Sequence, residues 1–273
     1  MLATARRYLD IMKAVAVVTY KEWAAYRTHS MISIFVGPVY YLVQLFIWQA
    51  VYSSHTNING MSLENMLTYY AVTALIGYFI MDFADWNLQM LIHTGRYISF
   101  ALRPVNHMFF AFSQKVGHRF LGLLFEFLPV LCIFIFVFRV PLLPSSAGWA
   151  ALSVCLGFIM NFAVNYCIGL SGFWLVKTDG IRGVYQLFRN VFSGALVPLS
   201  FFPESLQNIM FFLPFQHMSY TPAMVFIGSY ELGGVSVSPA VIVAVQAAYT
   251  LLMLILARVL YSRGNKRFTG VGA

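Results

Sequence analysis

Three carboxylates in a charge-poor sequence are the first groups that could do chemistry. Asp82 and Asp85 are three residues apart, a spacing that puts both on one face of a helix, and Glu126 sits in a later apolar run. A charged side chain at mid-bilayer depth costs roughly 2.5–3.5 kcal/mol on insertion scales, so each must face protein, water or a cation. One reading is a proton or cation relay, the chemistry of a secondary transporter or channel. The other is ion pairing with Arg119, Arg96 or a neighbouring subunit. Pairing is preferred, because both aspartates fall near the inner boundary of a predicted span.

Other chemistries are weaker. Gly169-Leu170-Ser171-Gly172 is a GxSG string of the kind used by intramembrane serine proteases. That nucleophile needs a histidine from another span to activate it, and the last predicted span contains none. His217 lies elsewhere, among prolines, so Gly169, Ser171 and Gly172 read as small residues at a helix contact. The six histidines fall mostly at span ends or in loops, and none is spaced as a metal ligand. Cys132, Cys155 and Cys167 lie in apolar segments without CxxC spacing and read as reduced packing residues. A phosphate-cradling GxxxxGK[ST] loop does not occur, and Gly264-Asn265-Lys266 has neither its spacing nor its hydroxyl. The chain is not expected to be an enzyme, to hydrolyse ATP by that route, or to hold a cofactor or metal.

What positions these residues follows from composition. Of 273 residues, 60% are hydrophobic and only 10% charged, against about 25% charged in an ordinary soluble domain. So few charges could not cover a soluble globule, and the solvent must be largely lipid. An all-α integral membrane protein is predicted, forming a single transmembrane domain over residues 1–273. About 20 apolar residues are needed per span. Six runs supply them: Met31–Tyr52, Met66–Trp86, Phe120–Phe138, Trp149–Val176, Val184–Phe202 and Val237–Leu260. Residues 1–28 lack the apolar core of a signal peptide. Tyr8, Ile11, Met12, Val15, Val18, Trp23 and Tyr26 follow helical spacing there, which predicts an amphipathic interfacial helix, the alternative being a helix docked on a partner, with both open on opposite faces.

The net charge of +8 comes from cations scattered between apolar runs, with no basic stripe for nucleic acid. With the N-terminus inside, every Lys and Arg except Arg139 falls on the inner side of this six-span scheme. The bias of Lys and Arg toward cytoplasmic loops then puts both termini in the cytoplasm.

Two connecting segments are unusual. In residues 93–104, Thr94 can cap a short helix that Pro104 ends, with Tyr97, Phe100 and Ala101 on one face and Arg96 and Arg103 at its edges. Such a helix suits either a groove of a soluble partner or the lipid headgroups. Residues 203–228 contain Pro203, Pro214 and Pro222 and no charge after Glu204. A re-entrant pair of short helices fits this segment better than another crossing, with Glu204 favoured at the first helix's N-terminus.

On these residues the sequence resembles the membrane-spanning permease subunits of type-2 ATP-binding-cassette (ABC) exporters. Gly95-Arg96 through Leu102-Arg103-Pro104 is similar to that family's coupling segment. Ser193-Gly194, Pro198, Phe202-Pro203-Glu204, Leu213-Pro214 and Gly228 are similar to its Gly/Pro pattern before the last span. The resemblance implies an export permease in the inner membrane of a bacterial cell, forming half of a translocation path. Its partners would be a second permease, identical or homologous, two copies of an ATPase subunit that hold ATP and Mg, and the lipid bilayer. Gly95, Arg96, Tyr97, Phe100, Arg103 and Pro104 would couple to the ATPase. Gly194, Pro198, Pro203, Glu204, Pro214 and Gly228 would form an outer gate.

Overall fold

A computed structural model describes residues 2–25, 32–103, 105–175, 178–228 and 230–268. Their regular structure is helical, apart from two two-residue hairpins, β1–β2 (Asn57–Ile58, Met61–Ser62) and β3–β4 (Glu231–Leu232, Val235–Ser236). The helices in chain order are α1 (Leu2–Ala25), α2 (Val36–Val51), α3 (Leu63–Ile80), α4 (Ala84–His93), α5 (Ile98–Ala101) and α6 (His107–Gly122). They continue as α7 (Leu128–Cys132), α8 (Ala147–Leu170), α9 (Asp179–Phe192), α10 (Glu204–Phe211), α11 (Tyr220–Ile227) and α12 (Pro239–Arg267).

Among the described residues, four helical runs are long and apolar enough to cross a membrane: Leu63–His93, His107–Val137, Ala147–Phe173 and Pro239–Arg267. α8 is the central element, packed on α12, α4, α11 and α3. Glycine makes some of these contacts close. A Cβ on Gly169 of α8 would lie 3.0 Å from the Ala84 carbonyl oxygen and 3.1 Å from that of Asp85, so the small-residue reading of that string holds. Pro129 cannot donate to the helical ladder, and the run through α7 widens into π turns on both sides, at Leu123–Phe127 and Ile133–Val137.

The sequence reading needs three corrections. The expected fifth span, Val184–Phe202, is not one helix: α9 stops at Phe192, where Gly194 turns the chain at φ +78°, and a 3-10 turn follows at Leu199–Phe201. The second run is interrupted between Ile80 and Ala84, so Asp82 and Asp85 do not share an uninterrupted helical face. At the first expected span, α2 has 16 residues, about 24 Å of helix; Met31, where that run was to begin, lies outside the described residues.

α1 is helical as expected, and part of its apolar stripe faces protein, while Tyr8 and Val18 of that stripe are exposed. Val15 and Thr19 are buried, and a Cβ on Gly117 of α6 would come within 2.9 Å of the Ala16 Cα. Tyr8 stacks edge-on against Phe109, with ring centroids 4.9 Å apart. Val17 and Tyr20 are exposed as well. The side chains of Trp23 and Tyr26 lie outside the described residues.

Candidate functional site

Near the break between α3 and α4 the bundle buries its charges. Asp82 caps α4, its Oδ1 accepting from the Ala84 N–H at 2.8 Å, while its Oδ2 lies 3.3 Å from Lys115 Nζ. That contact is electrostatic rather than an aligned hydrogen bond, since Oδ2 accepts none. Lys115 donates instead to the Phe158 carbonyl at 2.8 Å and sits 4.1 Å above the Phe158 ring, a cation–π contact. Asp85 accepts from Arg182 Nε at 2.8 Å. Arg119 lies 3.6 Å from Glu126 and donates to the Tyr78 carbonyl at 2.7 Å and to His118 Nδ1 at 2.9 Å.

All three predicted carboxylates thus have cation partners within the chain. The partners differ from those named, except Arg119. Lys115 and Arg182 were counted only as topology markers in the sequence. A signal existed: Lys115 and Arg119 are four apart on α6 and meet the acids of two other segments. Two more polar groups come from α8, where Asn161 donates to the Ile80 carbonyl at 2.6 Å and Asn165 Oδ1 accepts a short hydrogen bond from the Tyr185 hydroxyl. Both asparagines are fully buried, and neither was singled out by sequence.

At the end of the bundle where α4 and α12 finish, residues 93–103 form a tight connection. Thr94 does not cap α5; its hydroxyl donates back to the Met90 carbonyl at 2.7 Å, closing α4. Gly95 follows at φ +70°, and the Tyr97 N–H returns to the Leu91 carbonyl at 2.9 Å. The face expected to meet a partner is turned inward instead. Tyr97 is 0% exposed, surrounded by Phe173, Phe268 and His107, and donates to Asn265 Oδ1 at 3.0 Å. Burial holds its phenol above the usual range. Phe100 packs on His107 and Phe110, with the Arg103 guanidinium 5.1 Å from its ring. Two aromatic rings bury more apolar area inside the protein than this short helix could hide alone. Outward point Arg96, Ile98, Ser99, Leu102 and Arg103, with Leu102 81% exposed. Pro104 lies outside the described residues.

Gly95→Ala is expected to cost about 1–2 kcal/mol, the penalty for an L side chain in a left-handed conformation. Thermal unfolding of the purified protein measures it, and an unchanged melting temperature would refute the strained turn.

At the other end, three tyrosines hold the turn after α9. Tyr69 donates to the Gly194 carbonyl at 2.7 Å, Tyr40 to Ala195 at 3.0 Å and Tyr70 to Leu196 at 3.2 Å. Pro198 and Pro203 precede the 3-10 turn and α10, Glu204 is exposed in the first turn of α10, and Pro214 opens a 3-10 turn at Pro214–Met218. That turn packs deep against α8 and α12. Gln246 donates to the His217 carbonyl at 2.9 Å, and a Cβ on Gly157 would lie 3.3 Å from the same oxygen. α11 then returns to Gly228 at φ +92°, beside Ser145, whose hydroxyl donates to the Ile227 carbonyl at 2.6 Å. His217 contacts Thr221 here, whereas the Ser171 hydroxyl donates to Ile168. Ser171 and His217 do not meet, so His217 is not the base that the GxSG string would need.

Among the described residues no group of three His, Cys, Asp or Glu side chains could hold a metal ion. A family model described as ABC-2 family transporter protein matches residues 39–272. No curated protein and no solved structure matches the chain.

Proposed function

This chain belongs to the ABC-2 family of transporter proteins, whose members are multi-pass membrane permeases, and we propose that it is the export permease of an ATP-driven complex. It carries no nucleotide-binding loop, so in this reading the energy comes from a separate ATPase subunit that binds ATP and Mg. The family pairs such permeases with an ATPase; two ATPase copies and a second permease subunit complete the proposed assembly. Six crossings are proposed, with α2 and the stretch from α9 onward as the short first and fifth, and α10–α11 as a re-entrant pair gating the outer mouth.

The observation that carries the proposal is the built connection at Gly95–Arg103. It presents Arg96, Leu102 and Arg103 outward while Tyr97 and Phe100 root it in α6 and the end of α12. A displacement of the outward face is thereby delivered to several spans at once. Docking energy would come from the exposed Arg and Leu side chains, and transmission from the buried aromatics. Coupling roles proposed for Tyr97 and Phe100 are therefore of this second kind.

Charge distribution supports a cytoplasmic location for this end. Arg96, Arg103, Arg258, Arg263, Lys266 and Arg267 gather there, whereas Glu64, Glu204 and Glu231 lie at the other end with Arg139. Lys115 and Arg119 of α6 no longer enter that count, being buried and paired with Asp82 and Glu126.

The test is recovery of an ATPase on the tagged full-length chain from its native membrane. Arg96→Glu with Arg103→Glu is expected to reduce that recovery about tenfold or more, in line with hot-spot arginines at interfaces. Transport that proceeds without any ATPase, and indifferent to this double substitution, would overturn the proposal.

A further inference from the structure

Three helices, α4, α6 and α12, meet at the connection formed by residues 93–103, and they differ in continuity. α4 goes no further than the break at Ala84, beyond which α3 has already stopped at Ile80. α6 runs into the π turns on both sides of Pro129. α12 is one unbroken helix of 29 residues, Pro239–Arg267. Breaks and π turns are where a helix bends, whereas an unbroken helix moves as a unit.

The inner end of α12 is tied to both ends of that connection. Tyr97, near its start, donates to Asn265 Oδ1 at 3.0 Å and lies edge-on to the Phe268 ring, with centroids 5.1 Å apart. At its far end the His107 N–H, which opens α6, donates to the Tyr261 hydroxyl at 3.4 Å. Tyr261, Asn265 and Phe268 stand at i, i+4 and i+7, one face of the helix. The connection therefore cannot shift against α12 without breaking one of these contacts. Tyr97 is 0% exposed, so its hydroxyl would lose this acceptor in a place closed to water.

The second irregular segment meets the same helix further along. Gln246 is fully buried, and its Nε2 donates at 2.9 Å to the His217 carbonyl, inside the 3-10 turn Pro214–Met218. Its Oε1 accepts from the Ser153 hydroxyl at 2.7 Å and its Nε2 also reaches the Ser153 carbonyl at 2.9 Å, which fixes the amide in one orientation. Tyr249 packs on the His217 ring, with centroids 4.9 Å apart. α8 reaches that turn too, but at Gly157, which brings no side chain. About 28 Å of helix separates Gln246 from Asn265.

Resting on the permease reading, we infer that α12 is the rod that carries an ATPase-driven displacement from the Gly95–Arg103 connection to the proposed outer gate. Tyr261, Asn265 and Phe268 receive it, and Gln246 and Tyr249 deliver it to His217. These are positioning residues, since none of them needs to touch the ATPase or the cargo. Of the three helices that meet at the connection, only α12 runs unbroken to that turn.

The test uses the full chain with its recovered ATPase and reads hydrogen exchange of residues 214–227 with and without ATP and vanadate. In the parent complex, trapping the nucleotide is expected to change that exchange about fivefold or more, the low end of couplings between sites. Tyr97→Phe, Asn265→Leu and Gln246→Leu should each abolish the response while ATPase recovery and ATP hydrolysis persist. Asn265→Asp keeps an acceptor oxygen and should retain the response. Gln89→Leu removes a comparable bond at the same end, from α4 to the Ile168 carbonyl, and should leave the response intact. A response that survives in the Asn265 and Gln246 leucine variants would overturn the rod. Its loss in Asn265→Asp or Gln89→Leu, or its absence from the parent complex, would do the same. Failure to recover an ATPase with the parent chain defeats the coupled-permease reading, and the link at Tyr97 is then judged on the chain alone. There Tyr97→Phe and Asn265→Leu should each lower the melting temperature by about 2–4 °C and no further when combined, the shift for one hydrogen bond in a chain of this size. Additive shifts would overturn the link.

Discussion

Lys115→Met is expected to destabilise the protein by about 3–5 kcal/mol, the range for removing one partner of a buried ion pair. The substitution keeps an unbranched chain of similar length, so little of the loss should come from a cavity. What remains is the Asp82 carboxylate, 5% exposed and 3.3 Å from a charge that is no longer there. The Phe158 carbonyl also loses the ammonium that donates to it at 2.8 Å. Adding Asp82→Asn removes the stranded charge, so the double variant should recover about 2 kcal/mol, within the usual coupling range for contacting residues. Unfolding in mixed detergent micelles, followed by tryptophan fluorescence, measures both numbers. A single variant within about 1 kcal/mol of the parent, the size of an average substitution, would mean that this pair is not stabilising.

Gly194→Ala is the second large effect, expected near 3 kcal/mol with a matching fall in transport. A side chain at φ +78° costs about 1–2 kcal/mol by itself. The new Cβ would also lie 2.7 Å from the Tyr69 hydroxyl and 3.0 Å from Tyr220 Cβ. Tyr69 is fully buried and cannot swing aside, so its bond to the Gly194 carbonyl is lost for about another 1 kcal/mol. The Tyr220 N–H donates to the Ser193 carbonyl at 2.9 Å, so the start of α11 moves with the turn. Gly148→Ala is the matched control: nothing lies within 4 Å of its Cβ in the first turns of α8, and alanine favours a helix by about 1 kcal/mol over glycine. If the two variants melt alike, the turn after α9 is not the constrained element described above.

Much of this protein was legible before any coordinate. Helix-length apolar runs and a shortage of charge put it in the membrane, and four of the runs are long apolar helices in the fold. The Gly95–Arg103 and Ser193–Gly228 patterns located the two irregular connections, because glycine at positive φ and proline at helix starts are properties of single positions. The reading failed where an outcome depended on direction around a helix. Tyr97 and Phe100 were assigned outward because their spacing makes an apolar face, yet spacing does not say which neighbour that face meets. The predicted fifth span is a single helix only as far as Phe192 for a related reason: its hydropathy is that of a crossing, whereas Gly194 and the tyrosines that hold it end the helix there.

The sequence by itself determined the solvent of this protein, its helical class and the ends where its cations gather, since each is a sum over a local window. Only the tertiary structure decided which charges are neutralised. Asp82 and Asp85 sit three residues apart, yet the break before Ala84 and the cap it requires send one to Lys115 and the other to Arg182. Ion pairing in a membrane depends on distance between helices and on azimuth around each, quantities that no window along the chain contains. Among the described residues the same geometry leaves Arg189 without a carboxylate, a distinction that its count among seventeen cations could not make.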